Sequence, residues 1–249
     1  MNLKNIACCW CIGTYLKYRR VNNLAIKSIL IGKKNITPSR IFCIGKNYEE
    51  HIRELDDDAQ TSRNLENDDH PVVFMKPATS IVSRGELIQA PVHGDILHHE
   101  VEVVILLSGG GKNILKDRAL ACISGVTLGL DLTLRDVQAE MKKSGYPWEL
   151  SKSFDQSAPL GSMRAYDGSF NLFDISFSCF VNGEKRQEGN TGDMIFSISK
   201  VISFLSTIWE LMPGDLIYTG TPSGVGVLKT GDEIVLDSPI LGRFTWNIY

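Results

Sequence analysis

The stretch that most limits what this chain can fold into is His98-His99-Glu100-Val101-Glu102-Val103-Val104-Ile105-Leu106-Leu107. It reads as a strand. Side chains alternate along a strand, so Val101 and Val103 point one way while Glu100 and Glu102 point the other. The run then becomes wholly apolar, which predicts burial on both faces at its far end. Two carboxylates on one face, at the mouth of a buried strand, are costly unless something neutralises them. Two readings follow: an edge strand with a solvated acidic face, or a pair of ligands for a bound cation.

A second strand is expected over Val126–Leu134. Leu128, Leu130, Leu132 and Leu134 would face the core, and Thr127, Gly129, Asp131 and Thr133 would share the other face. A lone Asp is disfavoured in a strand and needs a reason to be there. Glu100, Glu102 and Asp131 together form an all-oxygen set, which suits Mg²⁺, Mn²⁺ or Ca²⁺ rather than zinc. Three carboxylates leave octahedral positions for waters or for a chelating 2-oxo acid, and the metal would act as a Lewis acid on that substrate.

Other strands are expected at Leu24–Ile31, Ile41–Gly45, Pro71–Lys76, Asp174–Val181, Leu216–Thr219 and within Asp232–Tyr249. Asn182-Gly183 signals a tight hairpin into Glu184–Gln187. Helical spacing appears at Tyr48–Leu55, Asp117–Ile123, Arg135–Lys143 and Met194–Trp209, the last amphipathic through Ile195, Ile198, Ile202, Leu205 and Ile208. Ser108-Gly109-Gly110-Gly111-Lys112 lacks P-loop spacing and reads as a turn. On the Tyr48–Leu55 helix, His51 and Glu54 are three apart and share a face. They are either a surface ion pair or a dyad in which Glu54 orients His51 to take a proton from water. The acidic stretch between Glu54 and His70 lacks the ligand order and glycine of an EF-hand. It reads as a solvated loop, or as a lid that closes over a substrate. Arg135, Gln138 and Lys152 are candidates for anion contact, or solvated helix and loop residues.

Bulk properties exclude several classes. The chain has 249 residues and a formal charge of −3, so it carries no excess of positive charge for nucleic acid. No apolar run approaches the roughly 20 residues of a membrane span. The six cysteines, Cys8, Cys9, Cys11, Cys43, Cys122 and Cys179, make neither a disulfide framework nor a paired zinc motif, so a reducing cytoplasm is the expected setting. Residues 1–40 carry eight Lys or Arg and no acid. They read as a short N-terminal β segment packed on a main domain spanning 41–249.

Seven strings, in order along the chain, resemble the fumarylacetoacetate hydrolase family: GKNYEEHIRE (45–54), FMKPATS (74–80), HHEVEVVI (98–105), LDLTLRDVQ (130–138), KKSGYPWELSKSFD (142–155), VNGEKRQEG (181–189) and TGTPSGVG (219–226). The resemblance implies an α+β, β-rich fold, a mixed β-roll or sandwich with flanking helices, usually a homodimer. It implies that Glu100, Glu102 and Asp131 bind Mg²⁺ or Mn²⁺ and that His51 and Glu54 activate water. Arg135, Gln138 and Lys152 would hold and polarise the oxo acid, Thr221 would contact its carboxylate, and Lys152 would stabilise an enolate. The implied activity is hydrolysis of a C–C bond in small 2,4-dioxo acids (acylpyruvates). Oxaloacetate decarboxylation, oxaloacetate keto-enol tautomerisation and a 2-hydroxymuconate-type isomerase or decarboxylase activity are the alternatives. A non-catalytic metal- or ligand-binding protein on the same fold is the rival from another class.

Overall fold

The computed structural model describes residues 27–55 and 70–249. The expectations for residues 1–26, including three of the cysteines, and for the acidic loop over 56–69 lie outside the described residues.

The largest sheet runs, edge to edge, β4 (Val72–Pro77), β3 (Arg40–Gly45), β15 (Leu216–Tyr218), β8 (Val101–Leu107), β9 (Ile123–Leu130), β11 (Ala158–Leu160) and β5 (Ile81–Ser83), with β12 (Arg164–Ala165) also on β9. A second sheet runs β14 (Glu184–Asn190), β13 (Ser176–Val181), β17 (Glu233–Ser238), β18 (Gly242–Ile248) and β6 (Leu87–Ile88). A small sheet of β10 (Thr133–Leu134), β7 (Leu97–His99) and β16 (Gly226–Val227) bridges one end, and β1 (Ile29–Ile31) with β2 (Lys34–Ile36) forms a hairpin. The helices are α1 (Glu49–Leu55), α2 (Arg135–Ser144), α3 (Glu149–Lys152) and α4 (Ile198–Ile208). The chain is thus β-rich and α+β, as expected. No helix among the described residues is long and apolar enough to cross a membrane.

Strand β8 lies inside the large sheet, between β15 and β9, and all seven of its residues are buried. This overturns the reading of a solvated edge. Val101, Val103, Ile105 and Leu107 pack into the core shared with α4 and the second sheet. Val104 and Leu106 pack on the opposite face, with Ile29, Ile31, Ile41 and Tyr218. Glu102 heads that second face. On β9 and beyond, Leu128, Leu130, Leu132 and Leu134 all join the first core, as their alternation predicts.

Both site-bearing segments break where single strands were expected. Glu100 separates β7 from β8, and Asp131-Leu132 separates β9 from β10. At these points the chain leaves the large sheet for the small one, a corner of the kind made by strands that switch sheets. Asp131 N still donates to Glu100 O at 2.9 Å, but Leu132 N turns to Ser157 O at 3.0 Å.

Two helix expectations are corrected. The segment Asp117–Ile123 holds only a 3₁₀ turn, Ala119–Cys122, because Ile123 already belongs to β9. Helix α4 starts at Ile198, where Ser197 Oγ accepts from Lys200 N at 3.4 Å, so Ile195 precedes it and is exposed. The hairpin expected at Asn182-Gly183 is present, with φ of 52° and 81°, the positive pair that a type I′ turn requires. Since Ile105 is fully buried, we expect Ile105→Val to cost about 0.5–1.5 kcal/mol and Ile105→Ala about 2–5 kcal/mol of unfolding free energy. Urea denaturation measures both, and equal costs for the two would contradict close packing at this position.

Candidate active site

Register builds the site. Strands β8 and β9 are antiparallel with Val101 opposite Leu130 and Glu102 opposite Gly129. That pairing brings Glu100 beside Asp131 and leaves Glu102 one step inside. One oxygen from each of Glu100, Glu102 and Asp131 lies within 4.8 Å of the others, and all three residues are buried. Strand β15 runs antiparallel to β8 and parallel to β3. Its C-terminal end therefore delivers Gly220 and Thr221 to the same corner, and the end of β3 leads into α1 and His51.

One pocket is lined by His51, Glu100, Glu102, Asp131, Arg135, Gln138, Lys152 and Thr221, so eight of the nine expected site residues share it. Glu54 stands behind: one of its carboxylate oxygens lies 3.3 Å from His51 Nδ1, and Gly224 N donates to both of its oxygens at 3.0 and 3.1 Å. A carboxylate only accepts, so Nδ1 carries the hydrogen. Burial raises the Glu54 pKa, but the His51 and Gly224 hydrogen bonds outweigh it and hold the group below its ordinary range. His51 is 5% exposed and Glu54 is exposed, so the pair reaches from the pocket to the surface.

The carboxylates are unequally compensated. Glu100 is paired with Arg135 Nη2 on one oxygen and with Lys152 Nζ at 2.8 Å on the other. Burial would raise its pKa, but those cations push it well below the usual carboxylate range. Asp131 takes Lys152 Nζ at 2.7 Å on Oδ2, and Lys76 Nζ lies 2.8 Å from Oδ1. The Lys76 ammonium also donates to Leu132 O and Lys152 O, and its third hydrogen is available to Asp131 Oδ1. Among the described residues Glu102 receives only the Gly220 amide, at 2.8 Å. Burial, then Asp131, then Glu100 push its pKa well above the ordinary value. Lys152 is driven the other way: burial lowers its pKa, but Asp131 and Glu100 raise it further, so it stays an ammonium.

These facts test the donor set against a cation. Hard oxygens crowd one buried point, and among the described residues Glu102 has no cation paired to it. That is the environment a divalent ion relieves.

Arg135 is held by three partners. Besides Glu100, Nη1 donates to Gln138 Oε1 at 2.8 Å and Nε to His98 Nδ1 at 3.3 Å. His98 must present a lone pair there, and burial, then Arg135, push its pKa down to about 4. Residues His98, Lys76, Asn47 and Gln187 had no assigned role in the sequence. Lys76 had a usable signal, a lone cation in the apolar strand Val72–Pro77, where it is 2% exposed. Asn47 is fully buried and clamps two loops, donating to Phe196 O and Thr219 O and accepting from Phe196 N. Gln187 sits among charged neighbours on β14 and had no signal.

The family model described as fumarylacetoacetate (FAA) hydrolase C-terminal matches residues 40–248. The mouse mitochondrial oxaloacetate tautomerase FAHD1 is 42% identical over 206 residues, covering 82% of this chain and 90% of that protein. Oxaloacetate tautomerase YcgM of Escherichia coli is 38% identical over 199 residues, covering 80% and 87%. Among solved structures, fumarylpyruvate hydrolase from Pseudomonas aeruginosa in complex with Mn²⁺ and pyruvate superposes with a TM-score of 0.82 at 32% identity, covering 89% of this chain and 95% of that one. The expectation of a non-catalytic binding protein gives way to that of an enzyme, and the chain belongs to the fumarylacetoacetate hydrolase family.

Proposed function

We propose that this pocket hydrolyses a C–C bond in small 2,4-dioxo acids, the acylpyruvates, with Mg²⁺ or Mn²⁺ held by Glu100, Glu102 and Asp131. The observation that carries the reading is the buried His51, backed by Glu54, facing the same pocket as the three carboxylates. A divalent ion bound there supplies Lewis acidity, which stabilises negative charge on the oxygens of a 2-oxo acid.

The remaining chemistry falls to the chain. Arg135, kept in place by Gln138 and His98, and the Thr221 hydroxyl bind and orient the carboxylate end of the substrate. His51, with Nδ1 committed to Glu54, has Nε2 free to take a proton from water. The resulting hydroxide adds to the distal carbonyl. The C–C bond then breaks, leaving a carboxylic acid and the enolate of pyruvate, whose charge Lys152 offsets until carbon is protonated. The homodimer implied by the resemblance and the cytoplasmic setting expected from the cysteines stand as parts of the same proposal.

A second reading is favoured by the names of the relatives: oxaloacetate tautomerisation, in which the same groups only move a proton. Products separate the two. Hydrolysis predicts equal acetate and pyruvate from acetylpyruvate with Mg²⁺ or Mn²⁺, none with EDTA, and a fall of roughly 10²–10⁴-fold in kcat for His51→Ala. Acetylpyruvate left uncleaved while oxaloacetate interconverts would move the assignment to the tautomerase. Full hydrolysis by His51→Ala would remove the water-activating role.

Metal binding predicts a thermal shift as well. A ligand present at 100 times its Kd stabilises by about 2.7 kcal/mol, so Mg²⁺ or Mn²⁺ should raise the unfolding temperature and EDTA should reverse it. Glu102→Gln should abolish the shift. In EDTA the same variant should be the more stable protein at neutral pH. The folded state of the parent raises the Glu102 pKa, so it binds more protons than the unfolded chain, and its stability falls as pH rises through that window. The amide removes that loss. An undiminished metal-dependent shift in Glu102→Gln would refute the ligand assignment.

A further inference from the structure

Gln187 is the one buried side chain in the β14 run Glu184–Glu188, and it is 1% exposed. Its amide uses every hydrogen-bonding position it has. Oε1 accepts from Val101 N at 3.1 Å and faces His99 Nδ1 at 2.9 Å. Nε2 donates to Pro222 O at 2.9 Å and to Thr221 Oγ1 at 2.8 Å.

Two of these partners have no freedom of role. The Val101 N–H can only donate and the Pro222 carbonyl can only accept, so the amide cannot be turned over without setting donor against donor and acceptor against acceptor. Thr221 Oγ1 must therefore accept from Gln187. Its single O–H is left to donate, and among the described residues no group takes that hydrogen. Thr221 lines the pocket together with Arg135, Gln138 and Lys152.

The loop cannot shift to evade this assignment. Gly224 has φ of +93°, and a Cβ there would stand 2.1 Å from Arg186 O, so the loop lies directly on the strand that carries Gln187. On its other side, Gly224 N holds Glu54.

We infer that Gln187 is a positioning residue that makes the Thr221 hydroxyl an obligate donor into the pocket, so that this wall selects an anionic oxygen, the carboxylate of the 2-oxo acid. The inference rests on the proposed function, and it adds the residue that sets carboxylate specificity. Gln187 sits on the second sheet, whereas the carboxylate cluster sits on the first. The hydrogen bond therefore also fixes the substrate loop relative to both.

Oxalate, a dianion that presents paired carboxylate oxygens, is the probe, with affinity measured calorimetrically in Mg²⁺ and KM and kcat measured on acetylpyruvate. Gln187→Glu keeps the shape but puts an acceptor against Thr221, which must then turn its hydrogen away from the pocket. We expect oxalate affinity to fall about tenfold or more, the scale of one hydrogen bond to a charged group, with KM rising more than kcat falls. Thr221→Val should cost a similar factor. In the Thr221→Val background, Gln187→Glu should add little. In Thr221→Ser, which keeps the hydroxyl, its full cost should return. Equal costs of Gln187→Glu in the Val and Ser backgrounds would overturn the inference, because a purely packing or long-range charge effect does not depend on the hydroxyl. Should Gln187→Glu fail to fold, Gln187→Met removes the amide donor and carries the same comparison. Wild-type protein that binds no oxalate would sink the proposed function along with this inference. Binding with additive costs would sink the role of Gln187 alone.

Discussion

Three buried carboxylates within reach of one another dominate the energetics of this fold. Their mutual repulsion in a dry environment would cost several kcal/mol without compensation. The chain spends three cations on them. Lys152 bridges Glu100 and Asp131, Arg135 closes Glu100, and Lys76 sits at Asp131. These cations come from α3, α2 and β4, so the cluster ties both helices to the sheet. Glu102 is the exception, with a lone backbone amide. A site whose last charge is left for a cation is held together by its protein contacts and completed by its ligand. Replacing one partner would leave a buried charge unpaired, which is why such clusters resist piecemeal substitution.

The same corner explains why irregular backbone appears there. Strands β8 and β9 each give up regular pairing at the residue that carries a carboxylate, Glu100 in one and Asp131 in the other. A straight strand would alternate its side chains and hold Asp131 on the face of Gly129, over the second core. Breaking the strands turns the carboxylates toward a pocket floored by sheet and walled by α1, α2 and the loop after β15. Strand ends supply the carboxylates, while α1, α2, α3 and the loop after β15 supply the groups that the proposed function sets against the substrate, so both sets stand on rigid elements.

Much of this was legible from residue pattern because it depends on local alternation. The apolar run from Val103 to Leu107, the leucine face of 128–134 and the Asn182-Gly183 turn each follow from one strand or one turn. The carboxylate set also followed, since an acid in a buried strand needs a reason. What pattern did not reveal were contacts across elements. Gln187 lies among Lys185, Arg186 and Glu188, which are exposed, so nothing local distinguishes it. Lys76 is a single cation in a strand, and only the packing of α3 against β4 shows what it faces. The short turn at Ala119–Cys122 stands where helical spacing predicts a helix, because propensity does not register that β9 claims Ile123. At His51 and Glu54 the imidazole is buried and the carboxylate exposed, the latter held by the amide of Gly224, about 170 residues away in sequence, a contact no local pattern shows.

That loop is also where hydrolysis and simple proton transfer part company. The carboxylate cluster, Lys152 and Arg135 would serve either reaction, since both pass through negative charge on the same 2-oxo acid oxygens. Hydrolysis further requires a base placed for water rather than for a carbon-bound proton, and the base must keep its tautomer while charge builds. Glu54 enforces that tautomer on His51, and Gly224 N enforces the position of Glu54. Gly224 in turn is fixed against Arg186 O, beside Gln187, which directs the Thr221 hydroxyl. His51, through Glu54 and Gly224, and Thr221, by its own place in the chain, are thus both tied to one short loop. In the proposed reaction their spacing would set how far along a bound oxo acid the base reaches, so chain length and the bond attacked would follow from one loop conformation rather than from the carboxylates that define the site.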